Sequence, residues 1–253
     1  MTAINTNAGA LNARASAVSA TAKMERAMER LSSGVRVNSA ADDAAGLAVA
    51  GKMESQLRGI NMSIRNAQDG VGLIQTAESG LNEIRNMVLR IRELAVQMAN
   101  GIYENTPDRS NAQLEVTALI DQVTLIAENT RFNDVAVLDG SFTGVTIQAG
   151  NTTAETITLS FVDVASSGLS IDTATVATQS DATVAMGTMD TALETISQEQ
   201  AKFGSLINRL NYSIANQSNA SVMTEQAIGR VMDADFAAET TNLSKQQILN
   251  QAA

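Results

Sequence analysis

Apolar residues recur at alternating steps of three and four through Leu57, Ile60, Ile64, Ala67, Val71 and Ile74. The alternation resumes through Ala77, Leu81, Ile84, Val88, Ile91, Ala95 and Met98. This spacing predicts one amphipathic helix from Asp43 to Asn100, with no proline to interrupt it. Such a helix would be about 85 Å long at ~1.5 Å per residue, too long and too striped to stand alone. Between Ile74 and Ala77 two steps of three follow one another, a stammer that should overwind the helix near Gln75 and Thr76.

The partner for that stripe lies near the other end of the chain. Met189, Leu193, Ile196, Phe203, Ile207, Leu210, Ile214, Ile228 and Val231 share one heptad register, with Gln200, Gln217, Ser221 and Thr224 in its polar slots. They predict a second long helix beginning near Ala182. A third stripe, Ala112, Val116, Leu119, Val123 and Ile126, follows the stop signal "NGIYENTPDRS", where Thr106 suits an N-cap and Pro107 a first helical position. The short connection folds this helix back antiparallel on the first.

The two ends are weaker. Residues 1–31 carry a thin stripe (Leu11, Ala15, Val18, Ala22, Met24, Met28, Leu31) that becomes ordered only against a partner. "SSGVRVNSAAD" breaks it, with Asn38 or Ser39 able to cap the next helix and Asp42 and Asp43 favouring a helix N-terminus. "MDADF" makes a second break before the helical "AAETTNLSKQQILNQAA". From Thr130 the period changes to two. "VTIQAG" and "ETITLSFVDV" alternate around Gly150-Asn151 and predict a hairpin, and residues 165–182 read as loop with some extended structure.

The fold class that results is mainly α: an elongated antiparallel coiled-coil-like rod with a small β-hairpin region in the middle. Its expected segments are 1–42 (N-terminal helix and connector), 43–140 and 184–232 (the rod), 141–183 (β and loop) and 233–253 (C-terminal helix). Both termini should lie at one end of the rod, an arrangement suited to a subunit that polymerises through its terminal helices.

Composition narrows the chemistry. Aromatics are 3% of residues, Trp is absent and there is a single proline, which suits closely packed helices. A net charge of −10 without any basic run excludes nucleic acid as a partner. With no Cys and no His, thiol nucleophiles, disulfides, imidazole bases and the commonest zinc ligands are all excluded. There is no apolar run long enough to cross a membrane, and the N-terminus lacks the basic and apolar regions of a cleaved secretory signal. The protein is then cytosolic or exported without one.

No constellation of residues points to catalysis, a cofactor or a metal. The glycines at 46, 51, 59, 70, 72 and 80 follow no strand, so they form no phosphate-binding loop and instead permit close approach of a neighbour. Asp42, Asp43, Asp233 and Asp235 flank helix breaks and read as caps. In "VLRIRELAVQMAN", Arg90 and Glu93, with Arg92 one step off, read from charge pattern as a solvated face carrying intrahelical ion pairs.

Long segments of the chain resemble bacterial flagellin: "INTN", "MERLSSGVRVNSAADDAAGLAVAGKM", "NAQDGVGLIQTAESGLNEI", "RIRELAVQMAN", "NTRFNDVAVLDG", "FGSLINRLNYSIAN" and "VMDADFAAETTNLSKQQILNQA". They cover residues 1–140 and 184–253 in family order. The resemblance implies a structural subunit of the flagellar filament, exported without a cleaved signal and polymerised beneath a cap into a tube, outside the cell. Its implied partners are other copies of the chain, the flagellar export apparatus and export chaperone, the filament cap and hook-associated proteins, and the vertebrate Toll-like flagellin receptor. The family's receptor-facing segment maps onto Arg90, Glu93 and Leu94, with Glu115 in "NAQLEVTAL"; together with Arg92 these are the candidate inter-subunit or receptor-facing residues. Residues 141–183 are too short for large outer domains, so the filament should be thin and smooth. Flagellins continue past "LNQAA", whereas this sequence stops at Ala253, which implies an incomplete C-terminal tail. The hook–filament junction protein, a structural relative, is the alternative, although "TRFNDVAVLDG" and "DADFAAE" favour flagellin. A surface adhesin using residues 165–182, which are also open to O-glycosylation, is a further rival.

Overall fold

The computed structural model describes residues 7–252. Residues 1–6 and Ala253, which the first and last expected segments and most of "INTN" include, lie outside them. The described chain is mainly helical, with two small antiparallel sheets of two strands each. It divides into a terminal unit (residues 1–59 with 219–253) and an inner unit (60–218). Two helices, α2 (Ala44–Met98) and α4 (Gln179–Met232), contribute to both, so the division falls within the long helices rather than at the connectors.

The terminal unit adds α1 (Ala8–Ser33) and α5 (Phe236–Ala252), which pack on each other. Asn7 caps α1 by accepting the Ala10 N–H at 3.1 Å, and Gly34 ends it in the left-handed region at φ 74°. Asp43, rather than Asn38 or Ser39, caps α2 by accepting the Gly46 N–H at 2.8 Å. Asp235 caps α5 through the N–H groups of Ala237 and Ala238. Across the α1–α5 contact, Asn250 donates to the Thr21 hydroxyl at 3.0 Å, and Arg30 lies 3.6 Å from Glu239. Among the described residues the buried apolar side chains of this unit are Ala20, Ala27, Val37 and Ala50, a very small core.

The inner unit is built on the antiparallel pairing of α2 and α4. Arg92 meets Asp190, Asn82 meets Gln200, and Gly70 faces Leu210, so each step up α2 is a step down α4. The α2 residues buried in the seam are Ile60, Ser63, Ala67, Gly70, Ile74, Ala77, Leu81, Ile84, Val88, Ile91, Ala95 and Met98. These run three, four, three, four without a break, and α2 is one uninterrupted helix. The expected stammer is absent. Ile64 and Val71, which the apolar pattern placed in the seam, are only partly buried on its flank; Ser63 and Gly70 take their places. At Gly70 the missing side chain lets Ile147 and Leu210 pack directly over the helix, where a Cβ would lie 3.4 Å from both. The buried Ser63 hydroxyl donates to the Ile60 carbonyl at 2.7 Å. The same shift of one residue recurs on α4, where Ala192, Glu199 and Leu206 are buried and Leu193, Gln200 and Ile207 flank them.

α3 (Ser110–Asn129) runs antiparallel to α2, entered through a tight turn at Asn105–Arg109 in which Thr106 is extended. Arg109 is 4% exposed at that turn. Its guanidinium donates to the carbonyls of Met98, Asn100 and Tyr103 and to Asn105 Oδ1, capping the C-terminus of α2. Beyond α3, β1 (Arg131–Phe132) and β2 (Val135–Ala136) form a miniature hairpin around Asn133 and Asp134, both at positive φ. β3 (Val145–Gln148) pairs with β4 (Thr156–Leu159) as the alternation predicts, with Ile157 and Leu159 buried. The loop with some extended structure that the sequence predicts over 165–182 holds no strand, and its last four residues open α4; the rest is not a free loop, since Ala165, Leu169, Ile171 and Val176 are buried in the core. Gln113 Oε1 holds this segment by accepting from Thr175 Oγ1 and the Val176 N–H. α4 then starts at Gln179 with a reciprocal cap between Thr178 and Asp181.

Candidate assembly surfaces

The charged residues singled out on α2 are brought together with partners from two other helices. Arg90 Nε donates to Glu115 Oε1 at 2.9 Å, and Arg90 Nη1 to Glu93 Oε2 at 3.2 Å. One guanidinium thus holds an intrahelical and an interhelical carboxylate, joining α2 to α3. Arg92 faces α4, where its Nε and Nη2 contact Asp190 Oδ1 at 2.5 Å and Oδ2 at 3.4 Å, a two-pronged grip. Asp190 had no signal in the sequence: it stands 98 positions from Arg92, and only the antiparallel register brings them together. The Arg92 hydrogen bond and charge hold the Asp190 carboxyl below its usual pKa. The Glu115 and Glu93 hydrogen bonds raise the Arg90 guanidinium in turn.

Leu94 is a correction. Expected on the same surface, it is 4% exposed and packs in the inner core. It occupies the side of α2 next to the seam, shared with the buried Leu73, and does not face solvent as Arg90 and Glu93 do. Arg90, Glu93 and Glu115 form a solvent-facing ion-paired cluster on the α3 side, while Arg92 lies on the α4 side with Asp190.

The terminal unit leaves several apolar side chains in water. Leu11 and Val18 on α1 are 57% and 63% exposed, and Ile248 and Leu249 on α5 are 65% and 46% exposed. An open groove of about 680 Å³ runs between these helices, lined by Ala15, Ser19, Ala20, Gln246 and Leu249 among others. Helices so poorly covered bury too little apolar area to offset their ordering entropy by themselves.

The remaining sequence candidates have structural duties. Asp43 and Asp235 are caps, and Asp42 accepts from the Ser39 hydroxyl and N–H and pairs with Arg30, which keeps its carboxyl below the ordinary range. Among the described residues no cluster of His, Cys, Asp or Glu could hold a metal ion. Among the described residues no helix is long and apolar enough to cross a membrane.

Comparison with known proteins places this architecture. Residues 4–143 match the family model described as the bacterial flagellin N-terminal helical region, and residues 186–253 match the flagellin C-terminal helical region. A flagellin from Halalkalibacterium halodurans is 37% identical over 254 residues, spanning 99% of this chain and 92% of that protein. A flagellar filament 33 kDa core protein from Treponema phagedenis is 36% identical over 270 residues, spanning 98% and 92%. Among solved structures, Bacillus cereus flagellin superposes with a TM-score of 0.55 at 33% identity, covering 60% of this chain and 88% of that one. A putative flagellar hook-associated protein from Vibrio parahaemolyticus gives a TM-score of 0.63 over 76% of this chain and 100% of that one; at 13% identity the likeness is one of fold. With both of its helical regions matched in order and near-complete relatives above 30% identity, the chain belongs to the bacterial flagellin family of filament-forming structural proteins.

Proposed function

We propose that the chain is a structural subunit of an extracellular flagellar filament, polymerising through the apolar faces of α1 and α5 and the outward flank of the long helices. The observation that carries this reading is the terminal unit, whose paired helices keep Leu11, Val18, Ile248 and Leu249 largely in water. Other copies of the chain supply the cover. The subunit reaches its site through the flagellar export apparatus with an export chaperone, and meets the filament cap and hook-associated proteins there. No catalytic group is needed for this role.

The test is seeded growth. Purified protein added to filament fragments is expected to yield long smooth fibres that sediment. Val18→Glu with Ile248→Glu is expected to abolish sedimentable fibre while leaving the unfolding of the inner unit unchanged. Parent protein that stays monomeric on seeds, or fibres that form equally well from the variant, would count against the reading. Short caps on isolated hooks, in place of fibres, would favour the junction role.

A second reading concerns the Arg90–Glu93–Glu115 band, which is exposed and held in place by its own ion pairs. We propose it as a contact between subunits and, on the free monomer, for the vertebrate Toll-like receptor. Arg90→Ala is expected to lower stimulation of receptor-bearing cells by about tenfold, the loss of one charged hydrogen-bonding group at an interface. Equal stimulation by parent and variant would remove the receptor reading.

A further inference from the structure

We propose that Arg36 is a positioning residue for assembly, clamping the two connectors of the terminal unit together so that α1 and α5 leave them in one fixed direction. The inference rests on the filament-subunit reading and deepens it. One connector follows Gly34, where α1 ends; the other is the three-residue link Asp233–Asp235 between α4 and α5. They are joined as a single rung of antiparallel sheet, with Val35 opposite Asp233. The Arg36 N–H donates to the Met232 carbonyl at 2.6 Å, and the Ala234 N–H to the Gly34 carbonyl at 3.1 Å.

The Arg36 side chain adds what the backbone rung lacks. Its Nη2 donates to the Val231 carbonyl at 2.6 Å, so main chain and side chain of one residue take two consecutive carbonyls at the C-terminus of α4. These are the acceptors a helix end leaves without intrahelical partners, and a cation is favoured there by the helix dipole. Arg30 secures the other side of the junction, 3.4 Å from Asp42 and 3.6 Å from Glu239. The Arg36 side chain is itself 48% exposed, and its Nη2 also lies 3.9 Å from Asp43 Oδ2, a loose ion pair. If it is removed, water can take over the Val231 carbonyl and the fold survives, but the connectors lose their registry. Its loss is therefore expected in assembly and in local opening, not in the unfolding of the inner unit.

The absence of cysteine from the chain allows a direct test. Val35 and Asp233 form a rung whose hydrogen bonds run between the flanking residues, the pair type with Cα atoms about 4.5 Å apart and within disulfide reach. Arg36→Ala is expected to raise the critical concentration for growth on parent filament seeds by about tenfold, and to speed exchange of the Ala234 amide by a similar factor. Arg36→Lys, with one charged donor still in reach, should recover part of both. Arg36→Ala carrying Val35→Cys and Asp233→Cys should grow normally when oxidised and poorly when reduced. Normal growth of Arg36→Ala, or an oxidised disulfide that restores the Ala234 amide but not growth, would overturn the proposal. Parent protein that fails to grow would instead strike at the filament reading. The clamp is then judged by exchange alone, and an unchanged Ala234 amide in Arg36→Ala would overturn it.

Discussion

Replacing Arg109 by methionine is expected to destabilise the inner unit by about 3–5 kcal/mol, the range for removing one member of a buried, hydrogen-bonded charged set. Methionine keeps most of the stem volume and deletes every donor. The Met98 and Tyr103 carbonyls and the Asn105 amide oxygen would then lose this donor, and the Asn100 carbonyl would keep only the Tyr103 N–H at 3.4 Å. Among the described residues no carboxylate pairs with this guanidinium; its four acceptors are three backbone carbonyls and one amide oxygen, at the negative end of a 55-residue helix. Lysine should fall between the two, because a single ammonium cannot span four acceptors as a planar fork can. Urea unfolding of parent, Arg109→Lys and Arg109→Met measures the series. A methionine variant within about 1 kcal/mol of the parent would show that water reaches the turn and that the cap is dispensable.

Phe203→Ala is expected to cost about 4 kcal/mol, from lost burial, the cavity left behind and one aromatic contact. Phe203 is fully buried, and its ring centre lies 4.7 Å from that of Phe161, edge to face. Phe161 in turn stacks on Phe142 at 4.9 Å. This row of rings links α4 to the segments on either side of the β3–β4 hairpin, in a chain with only five phenylalanines. Large side chains are scarce here, so few neighbours can move in to fill the space. The urea midpoint should fall with an unchanged slope, since the folded and unfolded surfaces differ as before. A loss below about 1.5 kcal/mol would mean that the site collapses around the smaller residue.

The helices were legible because their stripes are long and their ends are punctuated. Gly34, Asp43 and Asp235 stand where the breaks were read. The seam was legible only to within one residue. An apolar pattern prefers Ile64 over Ser63 and Val71 over Gly70, because hydropathy carries no information about how closely two helix backbones approach. The inner unit uses the smaller residue at both places, and again at Gly80, where a Cβ would come within 2.7 Å of Thr130 and 2.9 Å of Leu138. Glu199 makes the same point from the polar side. It is 2% exposed in the seam because the Val162 N–H and the Lys202 ammonium satisfy it; Lys202 stands at readable i+3 spacing, but Val162 lies 37 positions away and carries no signal in the sequence.

The candidate surface was legible in part and for a different reason. Resemblance supplied Arg90, Glu93 and Glu115, and charge pattern supplied the Arg90–Glu93 pair. Asp190 escaped both, since a lone acidic residue on a distant helix acquires meaning only through register. Leu94 was carried onto the surface with its neighbours because the matched segment was taken as a block, although one residue of it turns inward.

The unbroken seam has a mechanical consequence. Where a stammer overwinds a helix, the local pitch differs from that on either side, and twisting or bending concentrates at the mismatch. From Ile60 to Met98 the seam positions keep one three-four alternation, with Leu73, Gly80 and Leu94 buried beside it. A seam in one register over about ten turns has no register break at which twisting strain would gather.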